Sequence, residues 1–146
     1  MAQLTSYETD ILTGKICPYC KCETKKVTDK EIYGPQSNYS KTFIQCIQNS
    51  EHYVGTFSNG KSLGRLADAE LRKLKRNGHE VFDKLWQGEQ ATFKSRDQAY
   101  QWLSKKMKLS KNLTHFAMFS DEQCIQSINI VNRMMKLPLW LRQIIN

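Results

Sequence analysis

The sequence lacks several features that would assign a protein to a broad class. It has no run close to the roughly 20 consecutive apolar residues that a transmembrane helix requires. Its first residues have neither the basic start nor the apolar core of a secretory signal. Internal repeats and low-complexity tracts are also absent. With 40% hydrophobic and 25% charged residues the composition is that of a globular protein, so we expect a compact cytoplasmic protein.

Recognisable catalytic motifs are missing as well. No serine lies in a nucleophile elbow, no glycine-rich loop is placed to bind phosphate, and no His-Glu-x-x-His segment occurs. Asp29 and Glu31 share one face of a predicted strand, where we interpret them as solubilising side chains. The sequence therefore gives no support for an enzyme. A metal enzyme, such as a nuclease, would need a metal with an open coordination position, and it stays an alternative to the two binding functions described below.

Cysteine is the residue whose arrangement is most informative. Cys17, Cys20 and Cys22 form a cluster within a total of five cysteines, and the spacing of Cys17-Pro-Tyr-Cys20 is typical of a knuckle turn that binds one side of a tetrahedral metal ion. A reducing compartment disfavours disulfides, so this odd and clustered count favours metal binding. A thioredoxin-like redox pair is the alternative, but that motif begins a helix, and the residues that follow here predict a strand.

The other metal ligands must come from later in the chain. Cys46 lies at the end of a predicted returning strand, where a zinc ribbon brings its second pair of ligands. Asn49 follows three residues later, at the position expected for that pair, and is a poor zinc ligand. His52 and Cys22 can each complete the tetrahedron, and we prefer His52 because Cys22 would crowd Cys20. The predicted ligands of a structural Zn²⁺ are therefore Cys17, Cys20, Cys46 and His52.

Short strand signals surround the predicted metal site. Residues 24–32 carry β-branched side chains, Gly34-Pro35 turns the chain, and residues 41–46 read as a returning strand. Residues 53–57 predict a third short strand, which the turn signal Asn59-Gly60 ends. These segments predict a zinc-ribbon-like β-hairpin minidomain.

Helical periodicity replaces the strand signals after residue 60. Apolar side chains recur at helical spacing over residues 66–86, and the interior Gly78 is either a kink or a point of close packing. Ser95 and Ser120 each begin a capping-box pattern that predicts a further helix, and a short apolar tail follows Pro138. We therefore predict an α+β protein, with a β module at residues 1–60 and a helical region of three to four helices at 61–146 packed against it.

The charge of the chain indicates the kind of partner to expect. The formal net charge is +8 and the pI is near 9.3, which favours a polyanion, and nucleic acid rather than a membrane. Basic side chains are concentrated in residues 65–76 and 94–111, although such runs are often only solvated faces. The candidate nucleic-acid-binding residues are Arg72, Arg76, Lys105, Lys106 and Lys108. Four tyrosines of the β module either stack on bases or fill its thin core: Tyr19, Tyr33, Tyr39 and Tyr53.

Several motifs occur in the order known from one family. They are Cys17-Pro18-Tyr19-Cys20, Glu31-Ile32-Tyr33-Gly34, Tyr53-Val54-Gly55, residues 63–72, residues 82–86, residues 99–103 and Met118-Phe119. From about Ile16 to Arg133 the chain resembles a zinc-finger-containing domain family of unknown function, which occurs in bacterial, phage and plasmid proteins. The resemblance implies a zinc ribbon followed by a helical part, without an established activity. The family pattern has a second Cys-x-x-Cys and a histidine after Tyr-Val-Gly, where this chain has Asn49 and Phe57.

Two functions are compatible with these features. The first is a non-enzymatic, zinc-stabilised module that contacts nucleic acid through its basic helical faces. The second is a small protein of a phage or mobile element that binds a host protein, such as a nucleic-acid-processing or defence factor, and inhibits or recruits it. In the second case the apolar tail at residues 139–145 would form the interface.

Overall fold

The computed structural model describes residues 3–146, and their contacts divide into two compact units, residues 3–72 and 73–146. The first unit contains a three-stranded antiparallel sheet whose strands lie side by side in sequence order, and the second is helical. The predicted α+β class is confirmed. The predicted domain boundary between residues 60 and 61 stays a prediction, because a division by contacts does not test independent folding. No helix in residues 3–146 is long and apolar enough to span a bilayer.

The sheet of the first unit is built from two consecutive antiparallel pairs. Thr24 is paired with Cys46, and Ile44 is paired with Val54. The three strands begin within one residue of the predicted positions, although the first and third are shorter than predicted. The elements of this unit are α1 (Ser6–Leu12), β1 (Thr24–Thr28), α2 (Asp29–Tyr33), β2 (Thr42–Cys46) and β3 (Tyr53–Gly55).

The first strand ends earlier than predicted, because the chain enters α2 at Asp29. The backbone N–H of Thr28 donates to Glu31 Oε2 at 2.9 Å, which is half of the reciprocal capping pattern at the start of a helix. The interpretation of Asp29 as a solubilising side chain was wrong, since this residue is 4% exposed. Its carboxylate accepts hydrogen bonds from the Ser37 hydroxyl at 2.6 Å and from the Tyr39 N–H at 3.0 Å. The hydrogen bond from Ser37 is the main cause that lowers the pKa of Asp29.

Four α-helices occupy residues 69–145, in agreement with the prediction of three to four. Two single turns of 3₁₀ helix, Lys111–Leu113 and Phe116–Met118, fill the apolar stretch between two of them. The helices are α3 (Ala69–Asp83), α4 (Arg96–Met107), α5 (Asp121–Met135) and α6 (Leu139–Ile145).

The starts of α4 and α5 follow the serine signals. The Ser95 hydroxyl accepts from the N–H of Gln98 at 3.2 Å, but Gln98 Oε1 accepts from Lys94, so the reciprocal bond of a capping box is not made. At α5 both bonds are present, because Ser120 and Gln123 exchange hydrogen bonds of 2.9 and 3.3 Å. Both sequence signals therefore identified the start of a helix correctly.

Gly78 lies within α3 and does not break it. A Cβ atom at this position would lie 2.2 Å from Cε1 of Phe116, which is 1% exposed. The glycine therefore permits close packing, which was one of its two predicted roles. The core of the second unit contains Phe82, Leu85, Ala99, Tyr100, Leu103, Phe116, Phe119, Cys124, Val131 and Met134.

Arg142 fastens α6 within the second unit. The residue is only 3% exposed, and its guanidinium donates to the carbonyl oxygens of Leu137 and Gln90, each at 2.9 Å. It also donates to the Thr92 hydroxyl at 2.9 Å and to the Met135 sulfur at 3.1 Å. All of these acceptors are neutral, so hydrogen bonds rather than an ion pair offset the burial of this charge.

Candidate metal centre

The segment from Cys17 to Cys22 forms a tight turn before β1. The Cys17 N–H donates to the carbonyl of Cys22 at 2.9 Å, and the Lys21 N–H donates to the carbonyl of Cys17 at 2.8 Å. Lys21 has a φ of 57°, a left-handed conformation that is uncommon outside glycine and that closes the turn. As a result the sulfur atoms of Cys17 and Cys20 lie within 4.8 Å of each other.

The second half of the cluster comes from the connection between β2 and β3. The Cys46 N–H donates to the carbonyl of His52 at 2.9 Å, and the His52 N–H donates to the carbonyl of Asn49 at 3.1 Å. The side-chain oxygen of Asn49 accepts from the N–H of Glu51 at 2.9 Å. Asn49 therefore shapes the turn that returns His52 to the end of the sheet beside Cys46.

The four predicted ligands meet at one point. One ligand atom from each of Cys17, Cys20, Cys46 and His52 lies within 4.8 Å of all the others. His52 Nδ1 is 3.5 Å from the sulfur of Cys17 and 3.6 Å from that of Cys20. A tetrahedral zinc ion with Zn–S bonds of about 2.3 Å and a Zn–N bond of about 2.0–2.1 Å places sulfur and nitrogen about 3.6 Å apart. The two distances from His52 Nδ1 are therefore those of a tetrahedral metal site, and the remaining ligand atoms lie within 4.8 Å of one another.

The surroundings of the cluster hold the ligands in place. Cys17 and Cys46 are buried in the core of the first unit, together with Val54 and Leu66. The Tyr19 ring packs against the His52 ring with 4.5 Å between centroids, and its hydroxyl accepts from the N–H of Asp68 at 3.2 Å. Contacts of this kind around the ligands orient them for a metal. Because this core is so small, a metal would supply a large part of its folding free energy.

The cysteines of the cluster differ in the pKa of their thiols. Burial raises the pKa of Cys46, but hydrogen bonds from the Gln48 N–H and from the Cys22 thiol outweigh it and lower the pKa to about 6. Burial raises the pKa of Cys20 to about 12, with a further contribution from its hydrogen bond to Cys46. Burial also raises the pKa of Cys17. One thiolate therefore forms readily, and a metal must displace the protons of the remaining thiols. The affinity of the site for a metal should therefore decrease as the pH is lowered.

Cys22 lies next to the cluster but outside the set of four. Its sulfur is 3.3 Å from that of Cys46, while the tight group is completed by His52. Burial raises the pKa of the Cys22 thiol, so it is held as a donor to the Cys46 sulfur.

Arg72, one of the predicted nucleic-acid-binding residues, makes its contacts inside the first unit. Its guanidinium donates to the carbonyl oxygens of Ala67 at 2.6 Å and Glu51 at 2.8 Å. The guanidinium carbon lies 3.9 Å from the centre of the Tyr53 ring, a cation–π distance. An ion pair of 3.8 Å with the exposed Glu51 carboxylate adds little. These bonds tie the start of α3 to the turn that carries His52.

The other four predicted residues are exposed. Arg76 lies on α3, whereas Lys105 and Lys106 end α4 and Lys108 follows it in a left-handed conformation with φ 57°. Within residues 3–146 no ion pair engages any of the three lysines. Lysines in the last turn of a helix also offset its dipole, which is a structural role.

Comparison with known proteins places the chain in a family. Residues 13–134, well over half of the chain, match the family described as a zinc-finger-containing domain. No curated protein matches the sequence significantly, and no solved structure does. The matched segment contains all four clustered side chains, which agrees with a metal site in this part of the chain. The protein belongs to this zinc-finger-containing domain family of unknown function.

Proposed function

We propose that the protein is a non-enzymatic nucleic-acid-binding module whose first unit is stabilised by one zinc ion. The zinc part rests on the donor set, because three thiolates and one imidazole at tetrahedral spacing are the ligands of structural zinc sites. Oxygen ligands, which Mg²⁺ and Ca²⁺ prefer, are absent from the group of four. All four positions are taken by the protein, which leaves no open position for metal catalysis.

Metal analysis tests this part directly. The purified protein should contain about one zinc per chain, and Cys17→Ser should lose it, because the remaining three ligands bind far more weakly. His52→Ala should lose zinc as well. Cys124→Ser is the control, since Cys124 is a buried cysteine of the second unit. Full zinc occupancy in Cys17→Ser would overturn the assignment.

The distribution of charge is the single observation that carries the nucleic-acid part. Residues 73–146 contain thirteen Lys or Arg and six Asp or Glu, so +7 of the net charge of +8 lies in the second unit. Lys105, Lys106 and Lys108 are close together in sequence, exposed, and free of ion pairs among the described residues. Side chains of this kind neutralise phosphates. Arg76 is a further exposed cation, and a contribution from Arg72 stays a prediction.

A salt titration with matched variants tests this surface. Replacement of Lys105, Lys106 and Lys108 by Gln should weaken binding to a labelled duplex and reduce the slope of log K against log salt by about 2.7, if each lysine neutralises one phosphate. The control replaces three other exposed lysines of the second unit, Lys84, Lys94 and Lys136, with the same loss of charge. Equal effects of the two triple variants would show that net charge alone acts. Absence of binding at low salt would end the proposal.

A protein partner is the second candidate, and one observation favours it. The side chains of Trp140, Ile144 and Ile145 on α6 are 64%, 72% and 54% exposed. Adjacent apolar side chains on one short helix are a frequent feature of protein interfaces. If a host protein binds here, a stoichiometric complex should be lost with Trp140→Ser and retained with the triple lysine variant.

A further inference from the structure

An aromatic cleft opens on the first unit, outside the metal cluster. Its volume is about 450 Å³. Phe43 and Gly55, which are paired between β2 and β3, line it together with Tyr33, Tyr39 and Leu63. The Leu63 side chain lies against Gly55, where a Cβ atom would come within 3.2 Å of Leu63 Cδ1. Aromatic rings form part of its lining, beside the side chains of Lys41, Thr42 and Thr56.

The rings of this cleft belong to a continuous row. The centroids of Tyr39 and Tyr33 are 5.5 Å apart, those of Tyr33 and Phe43 are 5.8 Å apart, and those of Phe43 and Tyr53 are 5.9 Å apart. Phe43 is 8% exposed and belongs to the core, whereas Tyr33 and Tyr39 are 51% and 66% exposed. The two outer rings thus offer large apolar surfaces that the core does not use.

The polar groups of the cleft narrow the choice of ligand. The hydroxyls of Thr42 and Thr56 lie 2.6 Å apart, and Thr56 also donates to the Thr42 carbonyl at 3.1 Å. These hydroxyl protons are therefore used within the sheet. Of the described residues that line the cleft, Lys41 alone carries a charge, and no carboxylate is among them. What remains is ring surface with the hydroxyls of Tyr33 and Tyr39 beside one cation, which suits an anion with an aromatic part.

We propose that this cleft binds an unpaired base of single-stranded nucleic acid, stacked on the Tyr39 ring, with Tyr33 inclined at 61° beside it and Lys41 against an adjacent phosphate. The inference rests on the proposed nucleic-acid function and specifies its substrate as single-stranded. Base stacking on aromatic rings combined with nearby cations is the general mode of single-strand binding. A duplex cannot use such a cleft, because its base faces are covered by their neighbours. A proline-rich peptide also binds aromatic grooves, and it is a separate arm of the test.

Fluorescence anisotropy with labelled oligothymidylate and with a labelled duplex of equal length tests the proposal. Tyr39→Ala should weaken single-strand binding by about 5- to 150-fold, the loss expected for one stacked base. Duplex binding should not change. Tyr39→Phe should keep the affinity for the single strand, because it retains the ring, whereas Tyr39→Leu should lose it. Tyr7→Ala is the matched control, since Tyr7 is 44% exposed on α1 and does not line the cleft.

The outcomes separate the cleft from the broader proposal. Wild-type affinity of Tyr39→Ala for the single strand overturns the cleft and leaves the basic surface of the second unit as the binding site. Equal losses for single strand and duplex also overturn it, since they show no preference for unpaired bases. If the wild-type protein binds neither oligonucleotide at low salt, both proposals fail. Binding of a proline-rich peptide without binding of single strands assigns the cleft to peptides instead. Zinc content and circular dichroism of each variant verify that the fold is retained.

Discussion

Gly78→Ala separates helix propensity from packing within α3. In an open helix this change should stabilise the protein by about 1 kcal/mol, because alanine is the better helix former. Here the new Cβ would lie 2.2 Å from Cε1 of Phe116 and 2.9 Å from Cδ1 and Cζ. Unstrained carbon atoms are about 3.5–4.0 Å apart. The Phe116 ring or the helix must therefore move by more than 1 Å, roughly the shortfall between these distances.

The ring has little room in which to move. Phe116 contacts the rings of His79, Phe119 and Phe82, with centroids at 4.6, 5.1 and 5.9 Å. Overpacking of such a core costs about 1–3 kcal/mol. Because the new contact would be so short, we expect a cost at or above the upper end of this range. After the gain in propensity, we expect a net loss of about 2 kcal/mol, or a Tm lower by roughly 8–16 °C for a unit of this size.

Chemical denaturation followed by tryptophan fluorescence measures this loss. All three tryptophans, at positions 86, 102 and 140, lie in residues 73–146, so the signal reports on the unit that contains Gly78. Asn77→Ala is the control at the adjacent exposed position, and it should stabilise by a few tenths of a kcal/mol. The double variant with Phe116→Leu should recover part of the loss, which gives a measurable coupling energy. A Gly78→Ala protein at least as stable as the wild type would refute the close packing.

Three further predictions concern other parts of the chain. Arg142→Met should destabilise the second unit by about 2–4 kcal/mol in the same fluorescence assay, because several hydrogen-bond acceptors lose a charged donor. An unchanged denaturation midpoint would show that these hydrogen bonds do not hold α6 in place. Cys22→Ser should retain one zinc per chain, since Cys22 lies outside the group of four, and loss of zinc would exchange its role with that of His52. Burial lowers the pKa of His79 below 6.5, so the unfolded state binds its proton more tightly. The contribution of neutral His79 to stability is therefore complete at pH values above the pKa of the unfolded state, and it is lost as the pH falls through the pKa of the folded state. The free energy of unfolding should decrease between about pH 7 and pH 5, and His79→Gln should make this decrease smaller.

Turns and helix starts were predictable because their signals are local. The Cys-Pro-Tyr-Cys knuckle, the turn at Asn59-Gly60 and the serine caps at Ser95 and Ser120 each depend on a few adjacent residues. The helix α2 was missed although Thr28 and Glu31 have the spacing of a capping box. The β-branched residues around it predicted a continued strand. The buried carboxylate of Asp29, which accepts from the Ser37 hydroxyl, is a tertiary contact that this local pattern does not reveal.

Tertiary contacts could not be predicted in the same way. Gly78 had two opposite predicted roles, a kink or close packing, and the choice between them depends on Phe116, which is distant along the chain. Arg72 was selected for its charge, but its partners are backbone carbonyls of Glu51 and Ala67, which leave no trace in the sequence. Likewise the choice between His52 and Cys22 as the last metal ligand depends on the turn after Cys46, which returns the chain so that His52 lies in the cluster. Long-range geometry of this kind is set by packing rather than by local pattern.

The burial of Arg142 has a consequence for how the protein responds to acid. A guanidinium does not lose its proton, and the carbonyl, hydroxyl and thioether groups that surround it do not gain one in the physiological range. Attachment of the last helix should therefore persist at pH values at which thiols and imidazole are protonated and release a metal. Mild acidification would then remove a metal from the first unit without breaking the hydrogen bonds of Arg142, so the packing of the last helix depends on pH only through other groups of the second unit, such as His79.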